Sequence, residues 1–435
     1  NTANCYVVNA PGTYRFPLIY GNAIRNGADN QEAYAKKTDE WYVEYPFWDC
    51  VSRDIQSPFI TSDRTFRAAI LWQDENNLVK NVGVSPTQGN MLGKNVQYIA
   101  FEVEAGTIRQ GNCVIALYAE DNANSTLVWS WHIWVTDYEL GSDVRTVTNY
   151  QGIAYKMMPV NIGWCDAETP TYDARSVKVR FTQAETGAMQ VITLTQASHS
   201  VVNFGNQPYF QFGRKDPMLA GIRNASGSTV DKGCYSDGYA FDKSGTGKVA
   251  IGVSIQHPHI FYNYGSSSIY DWCATSYSNL WSGDNTVTTA NDNAVVKTIY
   301  DPSPVGYHLP SSNAFTGFTY NGSNVFGSSY FGSRFNSPYT STTDFTDNFG
   351  WEFYCNKMTG EGSYDTAGGT IFFPASGYRS YSAGTVNNVG SLGYFWSAVP
   401  YSTSYGRSLS FRSSYIYPLS INYRSDGFVV RPVQE

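Results

Sequence analysis

His257-Pro-His259 places two imidazoles at a spacing that a divalent cation could use, provided a strand sets both rings on one face. A metal site needs a third ligand, and the neighbouring sequence offers none, so a loop or strand stiffened by Pro258 is the expected reading. Glu102 and Glu104 share a face of an expected strand, which suits solvent better than acid–base catalysis, where one carboxyl must be desolvated. His132 sits in a strand beside Trp131, and its expected role is structural. Asp121-Asn-Ala-Asn124 begins like a calcium loop but lacks the required glycine and terminal glutamate, so a hairpin is expected. The pieces Gly327-Ser-Ser-Tyr-Phe-Gly332, Gly360-Glu-Gly362 and Gly368-Gly369 do not form a phosphate-binding pattern. Asn224-Ala-Ser-Gly-Ser228 is too polar for the strained turn that carries a hydrolase nucleophile. No catalytic residue, metal ligand or cofactor is expected, and the chain reads as a non-enzyme.

What remains is the chemistry of recognition. Residues 399–423 are almost only Tyr, Ser, Arg and small or aliphatic types. Leu409 and Phe411 alternate with Ser408, Ser410 and Arg412, so the apolar pair is expected to face a core and the others to face out. Tyr415 and Tyr417 share a face around Ile416. Tyr supplies large contact area with two torsions to freeze, Arg anchors, and Ser or Gly lets neighbours adapt. The candidate ligand-binding residues are Tyr401, Tyr405, Gly406, Arg407, Ser408, Ser410, Arg412, Tyr415, Tyr417, Leu419, Ser420, Ile421 and Tyr423. Stability is expected to reside in Trp396, Leu409, Phe411 and Phe428 instead.

The elements that position these residues follow from composition and periodicity. A chain of 435 residues has room for two or three domains. Its 29 Lys+Arg against 36 Asp+Glu, with no basic block, exclude a nucleic-acid partner, because nothing would displace counterions from phosphates. Charged residues make up 15% and aromatics 16%, which argues for a Tyr- and Ser-coated surface over buried rings. No apolar run approaches the roughly 18 residues of a membrane span. The sequence starts at Asn1 without a leader, so a mature or trimmed product is expected. Seven dispersed cysteines without a CxxC read as buried thiols, with one or two disulfides in an oxidising compartment as the alternative.

Residues 1–140 show short alternating strands, among them 5–9, 66–72, 98–103, 112–118 and 127–135, and are expected to form an all-β sandwich. In the last of these Trp129, Trp131, Ile133 and Val135 oppose Ser130, His132 and Trp134, so one face must be buried. The polar stretch 138–143 marks the expected boundary. Residues 141–435 then read as a loop-rich α+β domain, with strands at 177–182 and 189–195 and short helices at 292–300 and within 311–318.

Five ordered motifs in this second part resemble the Fibrobacter succinogenes major paralogous domain: Tyr209-Phe-Gln-Phe-Gly-Arg-Lys-Asp-Pro217, Asp301-Pro-Ser-Pro-Val-Gly-Tyr-His-Leu-Pro310, Asn387-Asn-Val-Gly390, Gly393-Tyr-Phe-Trp-Ser397 and Gly427-Phe-Val-Val-Arg431. The resemblance implies a C-type-lectin-like fold of the formylglycine-generating-enzyme kind. No cysteine follows Cys355, which speaks against oxidase chemistry, and the Glu-Pro-Asn or Gln-Pro-Asp triplet of calcium-dependent lectins is missing. Asn4-Cys-Tyr-Val-Val-Asn-Ala-Pro-Gly-Thr-Tyr14 resembles the fimbrillin-related surface proteins of Bacteroidales, some of which cap type V pili. Residues 394–433 resemble the variable region of proteins diversified by retroelements. In that family pattern Leu409, Phe411, Ser413, Ser414, Pro418, Arg424, Gly427, Phe428 and Arg431 would be framework, and the candidate residues from Gly406 to Tyr423 would vary. The resemblances together imply an exported adhesin at the cell surface or pilus tip. Its partner would be a protein or glycan on another cell or host surface, or other pilus subunits. The alternative is a structural pilus subunit that uses the Tyr face for assembly.

Overall fold

The computed structural model describes the chain except for residues 39–43, 121–124, 168–170, 201–204, 225, 237–240 and 264–269. It is mostly β, with several sheets and no barrel. In the first part, β1 (Cys5–Val8), β2 (Gly12–Pro17), β3 (Thr65–Gln73), β4 (Lys80–Val84), β5 (Tyr98–Val103), β6 (Gly111–Glu120) and β7 (Ser125–Val135) form two sheets. One has the order β1-β7-β6-β3, with β1 parallel to β7, and the other β2-β5-β4. Phe16, Ile99 and Phe101 from the second meet Ile115, Leu117, Trp129 and Trp131 from the first in one core, the packing of a sandwich.

The alternation along β7 buries more than expected, because both of its faces are covered. Trp129, Trp131, Ile133 and Val135 face the sandwich core, while Trp134 packs with Phe212, Trp281 and Trp396 from the second part. Ser130 and His132 are buried on that second face; burial holds the His132 imidazole near a pKa of about 3, and its Nε2 lies 2.9 Å from Asn112 Oδ1. The sandwich core also takes in Ile251, Ile255, Trp272 and Leu280. The 121–124 turn expected between β6 and β7 lies outside the described residues, although Glu120 and Ser125 pair on either side of it.

Beyond residue 141, β8 (Arg175–Thr182) and β9 (Met189–Gln196) form a separate ribbon, and β10 (Phe210–Gln211) leads into the C-terminal sheet. α1 (Ile251–Gln256) is one short helix, and His257 caps its end while His259 lies in the following turn. The two imidazoles therefore do not line a strand face; their rings are 6.2 Å apart. After β11 (Val325–Phe326) comes α2 (Thr342–Asn348), started by a capping box in which Ser341 and Asp344 satisfy each other's backbone. The expected helix at 292–300 does not form. Its Val295, Val296, Thr298 and Ile299 disfavour a helix, and buried Lys297 instead donates to Ser303 O and Pro304 O at 3.0 and 2.8 Å. Residues 312–318 do wind, as a 3-10 turn that buries Phe315 and Phe318.

Toward the C-terminus follow β12 (Gly350–Tyr354), β13 (Thr370–Pro374), β14 (Tyr378–Arg379), β15 (Val386–Asn387), β16 (Gly393–Pro400), β17 (Tyr405–Arg412), β18 (Tyr415–Tyr423) and β19 (Gly427–Val430). They yield an eight-stranded sheet, β11-β18-β17-β16-β19-β14-β15, with β10 alongside β19; β12 and β13 pair separately. β16 and β19 run parallel, Phe395 opposite Val429. Strands Arg145–Thr148 and Ala154–Met157 join Val433–Gln434 and Tyr307–His308 in a small sheet, so the start of the second part meets the chain end. All seven cysteines are free thiols, and six are buried.

Candidate functional site

The β17–β18 hairpin carries the candidate residues, and its two faces differ. Leu409, Phe411 and Ile416 are fully buried against Phe353, Phe373 and Phe395. Strand alternation puts Ser408, Ser410, Arg412, Tyr415, Tyr417, Ser420 and Asn422 on the other side, with Tyr394 and Trp396 of β16 next to them in register. The Ser413-Ser414 turn joins the strands, and Trp351 Nε1 donates to Arg412 O at 3.2 Å, which ties that turn to the core.

Three candidates do not stand outward. Ser408 and Ser410 are buried, although alternation had them facing out with Arg412. Ser408 Oγ donates to Asn422 Oδ1 at 2.7 Å, and Ser420 Oγ reaches the same oxygen at 3.0 Å. Ser410 lies under Tyr394 and Tyr415, and its hydroxyl bonds to that of Tyr415. Gly406 is also buried; a Cβ there would come within 2.4 Å of Phe212 Cδ2, so the position admits no side chain without movement. These three make a floor.

Aromatic rings gather along the hairpin in two groups, of which the first stands over Ser408 and Ser410. Tyr415 and Tyr417 stack at 4.3 Å, the Arg412 guanidinium lies 5.4 Å over Tyr415, and Tyr394 donates its hydroxyl to Tyr415. Tyr378 packs on Tyr394 at 5.1 Å. At the other end of the hairpin, cross-strand partners Tyr405 and Tyr423 are 4.9 Å apart, and Tyr270 and Tyr381 close on Tyr423 at 4.2 and 4.5 Å. Two extra residues on β16 between Trp396 and Pro400, and a bulge at Ser408–Ser410, bend the hairpin at this end. Tyr401 is 40% exposed, and Arg407 sits 5.0 Å over its ring with Nε and Nη2 both donating to Thr288 O. Tyr405, Tyr415, Tyr417, Tyr423, Leu419 and Ser420 are half-buried, while Arg412 and Ile421 are exposed.

Asp426 lies near both ring groups. It is buried, accepts the Tyr381 backbone N–H at 2.8 Å, and its charge would act on Tyr378 and Tyr394. Burial pushes its carboxyl up to about 8. The Tyr423 phenol is pushed up to about 12 because it donates to Tyr405. Asp426 and Tyr423 are therefore both protonated at physiological pH, and the Arg407 and Arg412 guanidinium groups stand at the margins of the rings. Neutral stacked phenols flanked by guanidinium groups suit a ligand with flat apolar faces and hydrogen-bonding rims.

Sequence reasoning missed Tyr270, Tyr381, Tyr378, Tyr394, Asn422 and Asp426. Alternation pointed to Tyr394 and Asn422, which share the face of Ser410 and Ser420. Nothing in the sequence places Tyr270 beside Tyr423, since that contact is made across 153 positions. Among the described residues no group of three or more His, Cys, Asp or Glu side chains could hold a metal ion, and no helix is long and apolar enough to cross a membrane.

A family model described as a domain of unknown function, DUF8237, matches residues 351–433, which run from Trp351 in β12 through β19 and include the hairpin. No curated protein and no solved structure matches the chain.

Proposed function

We propose that the chain is a non-enzymatic adhesin of the cell surface or a pilus tip, which binds a protein or glycan through the rings and guanidinium groups of the β17–β18 hairpin. One observation carries this reading: Leu409, Phe411 and Ile416 hold the hairpin to the core, while Arg412, Tyr415 and Tyr417 stand on its opposite face. Affinity then comes from ring and Arg anchors, and the scaffold depends on them less than on the side chains behind them. A C-type-lectin-like fold for residues 141–435 is part of the proposal. Its support is the small sheet that joins Arg145–Met157 to Val433–Gln434, which brings the start and end of that segment together. Diversification of the hairpin is proposed from the residue types at its outward positions.

The test is binding of the labelled chain to glycan arrays and to intact bacterial and host cells. Tyr415→Ala/Tyr417→Ala and Tyr401→Ala/Arg407→Ala are expected to abolish a signal that the wild type gives, with unchanged far-ultraviolet circular dichroism. A signal that survives both double variants would refute the hairpin as the binding surface.

A further inference from the structure

The sandwich meets the second part of the chain where Gln73, the last residue of β3, and Tyr235 exchange backbone hydrogen bonds of 2.9 and 2.8 Å. That exchange sets Lys232 beside the two carboxylates that follow β3. Lys232 Nζ lies 3.1 Å from Asp74 Oδ2 and 3.2 Å from Glu75 Oε1. The Asp74 side chain is 1% exposed and that of Lys232 10%. One residue of β6 holds both oxygens of Asp74: Oδ1 accepts the Asn112 backbone N–H at 2.6 Å, and Oδ2 accepts Asn112 Nδ2 at 2.9 Å. Asn112 is fixed in turn by Gly163 O, 2.9 Å from the same Nδ2, and by His132.

An ion pair this deeply buried is costly to hold, because both charges have lost their water. Burial favours the neutral amine, yet Asp74 and Glu75 outweigh it and keep the Lys232 ammonium charged well above the usual lysine range. Condensing the pair to an amide removes both buried charges at once. Glu75 is not stranded by that loss, because Arg109 Nη1 lies 3.6 Å from its Oε2. Two groups held in contact also react as if at an effective concentration of about 10⁵–10⁸ M, so one slow turnover after folding suffices.

We infer that Lys232 and Asp74 condense in the folded chain into an intramolecular amide, with Glu75 as the proton carrier. Lys232 gives one proton to Asp74 Oδ2 along their contact, and the freed lone pair attacks Asp74 Cγ. As the C–N bond forms, the carbonyl electron pair moves onto Oδ1, where the Asn112 N–H stabilises it. Glu75 takes a second proton from the nitrogen and passes it to Oδ2 while the pair on Oδ1 returns to Cγ, so the Cγ–Oδ2 bond breaks and water leaves. Glu75 ends as the carboxylate it was at the start. The water exits into a cleft of about 390 Å³ that Lys232 lines with Arg109, Gln110 and Tyr235. The bond ties the sandwich to the second part across 158 positions, and it is independent of what the hairpin binds.

The experiment is intact-mass spectrometry and tryptic mapping of the purified full chain. The wild type is expected to be lighter than its sequence by one water, to resist cleavage after Lys232, and to yield fragments 68–80 and 224–243 as one branched peptide. Lys232→Arg, which keeps a cation between the two carboxylates, is expected to keep its full mass. Glu75→Gln, which keeps the amine and Asp74, is expected to form the bond about a hundredfold more slowly with unchanged far-ultraviolet circular dichroism. A wild-type chain of full mass that trypsin cuts after Lys232 would reduce the contact to an ion pair and overturn the inference. A branched peptide joined at Glu75 would overturn the choice of Asp74, and bond formation at the wild-type rate in Glu75→Gln would overturn the proton carrier.

Discussion

Deleting both rings of the Tyr415–Tyr417 stack should cost less stability than deleting one ring behind them. Phe411 is fully buried, with Phe395 and Phe353 centred 5.7 and 6.2 Å away, and Phe411→Ala leaves a cavity that the surrounding rings cannot fill. Such truncations cost about 3–5 kcal/mol. Tyr415 and Tyr417 are half-buried. At half of the ~1.5–3 kcal/mol for complete burial, each ring contributes about 1 kcal/mol. Their mutual stacking adds about 0.5–1.5 kcal/mol, which the double variant loses once. Tyr415→Ala/Tyr417→Ala is thus expected to lower the unfolding free energy by about 3 kcal/mol and Phe411→Ala by about 4. Urea unfolding followed by tryptophan fluorescence measures both, provided the slopes agree. A double variant costing clearly more than Phe411→Ala would mean that the rings are core, and the adhesin reading would fall with that result.

Gly406→Ala should destabilise the chain by about 1–3 kcal/mol, because the added methyl collides with Phe212, whereas Ile421→Ala should stay within about 0.5 kcal/mol; urea midpoints compare the two. Sequences of the same locus from several isolates are expected to differ at Arg407, Arg412, Tyr415, Tyr417, Leu419, Ser420, Ile421 and Tyr423 and to keep Gly406, Ser408 and Ser410, and large side chains at Ser408 or Ser410 would contradict the buried floor. Asp426 is protonated in the fold up to a pH of about 8 but ionises above about 4 when unfolded. Its contribution is therefore intact below about 4 and falls away as pH rises through 8, by on the order of 5 kcal/mol. Asp426→Asn should flatten that part of the stability profile between about pH 4 and about pH 8, and an unchanged slope would show that Asp426 is ionised in the fold.

The strands were legible where one period governed them. β1, β3, β5, β6, β7, β8 and β9 lie where alternation puts them, because each has apolar residues on at least one consistent face. The α-helices were not legible, although 312–318 winds where a helical stretch was expected, as a 3-10 turn. Ile251-Gly-Val-Ser-Ile-Gln256 has poor helix propensity and winds because Ile251 and Ile255 are buried in the sandwich core, while 292–300 is drawn out by the anchoring of Lys297. At the candidate site the alternation of Leu409 and Phe411 against Tyr415 and Tyr417 was visible. What alternation does not report is the cover on each face. It placed Ser408 and Ser410 outward correctly with respect to Leu409, but the neighbouring Tyr394, Trp396 and Tyr415 shield them. The same blindness applied to β7, whose second face is covered by Trp281 and Trp396 from far along the chain.

A hairpin can afford variable side chains only if its ends are fixed by others, and the residues after β18 meet that condition. Arg424 is fully buried, pairs with Asp271 at 3.1 Å and donates to Tyr277 O at 2.6 Å. Its carbonyl accepts from Phe212 N, and Ser425 O accepts from Gln211 Nε2 at 2.7 Å. At the other end of the segment Trp396 Nε1 donates to Phe210 O at 2.9 Å. All of these partners lie on β10, at Phe212 just after it or on the loops around 271–277, outside the hairpin, and none of the bonds uses a side chain from Arg407 to Tyr423. The rings and guanidinium groups can therefore change identity without releasing the strands that carry them, because the bonds fixing their register are made by residues that face the other way or lie beyond the hairpin.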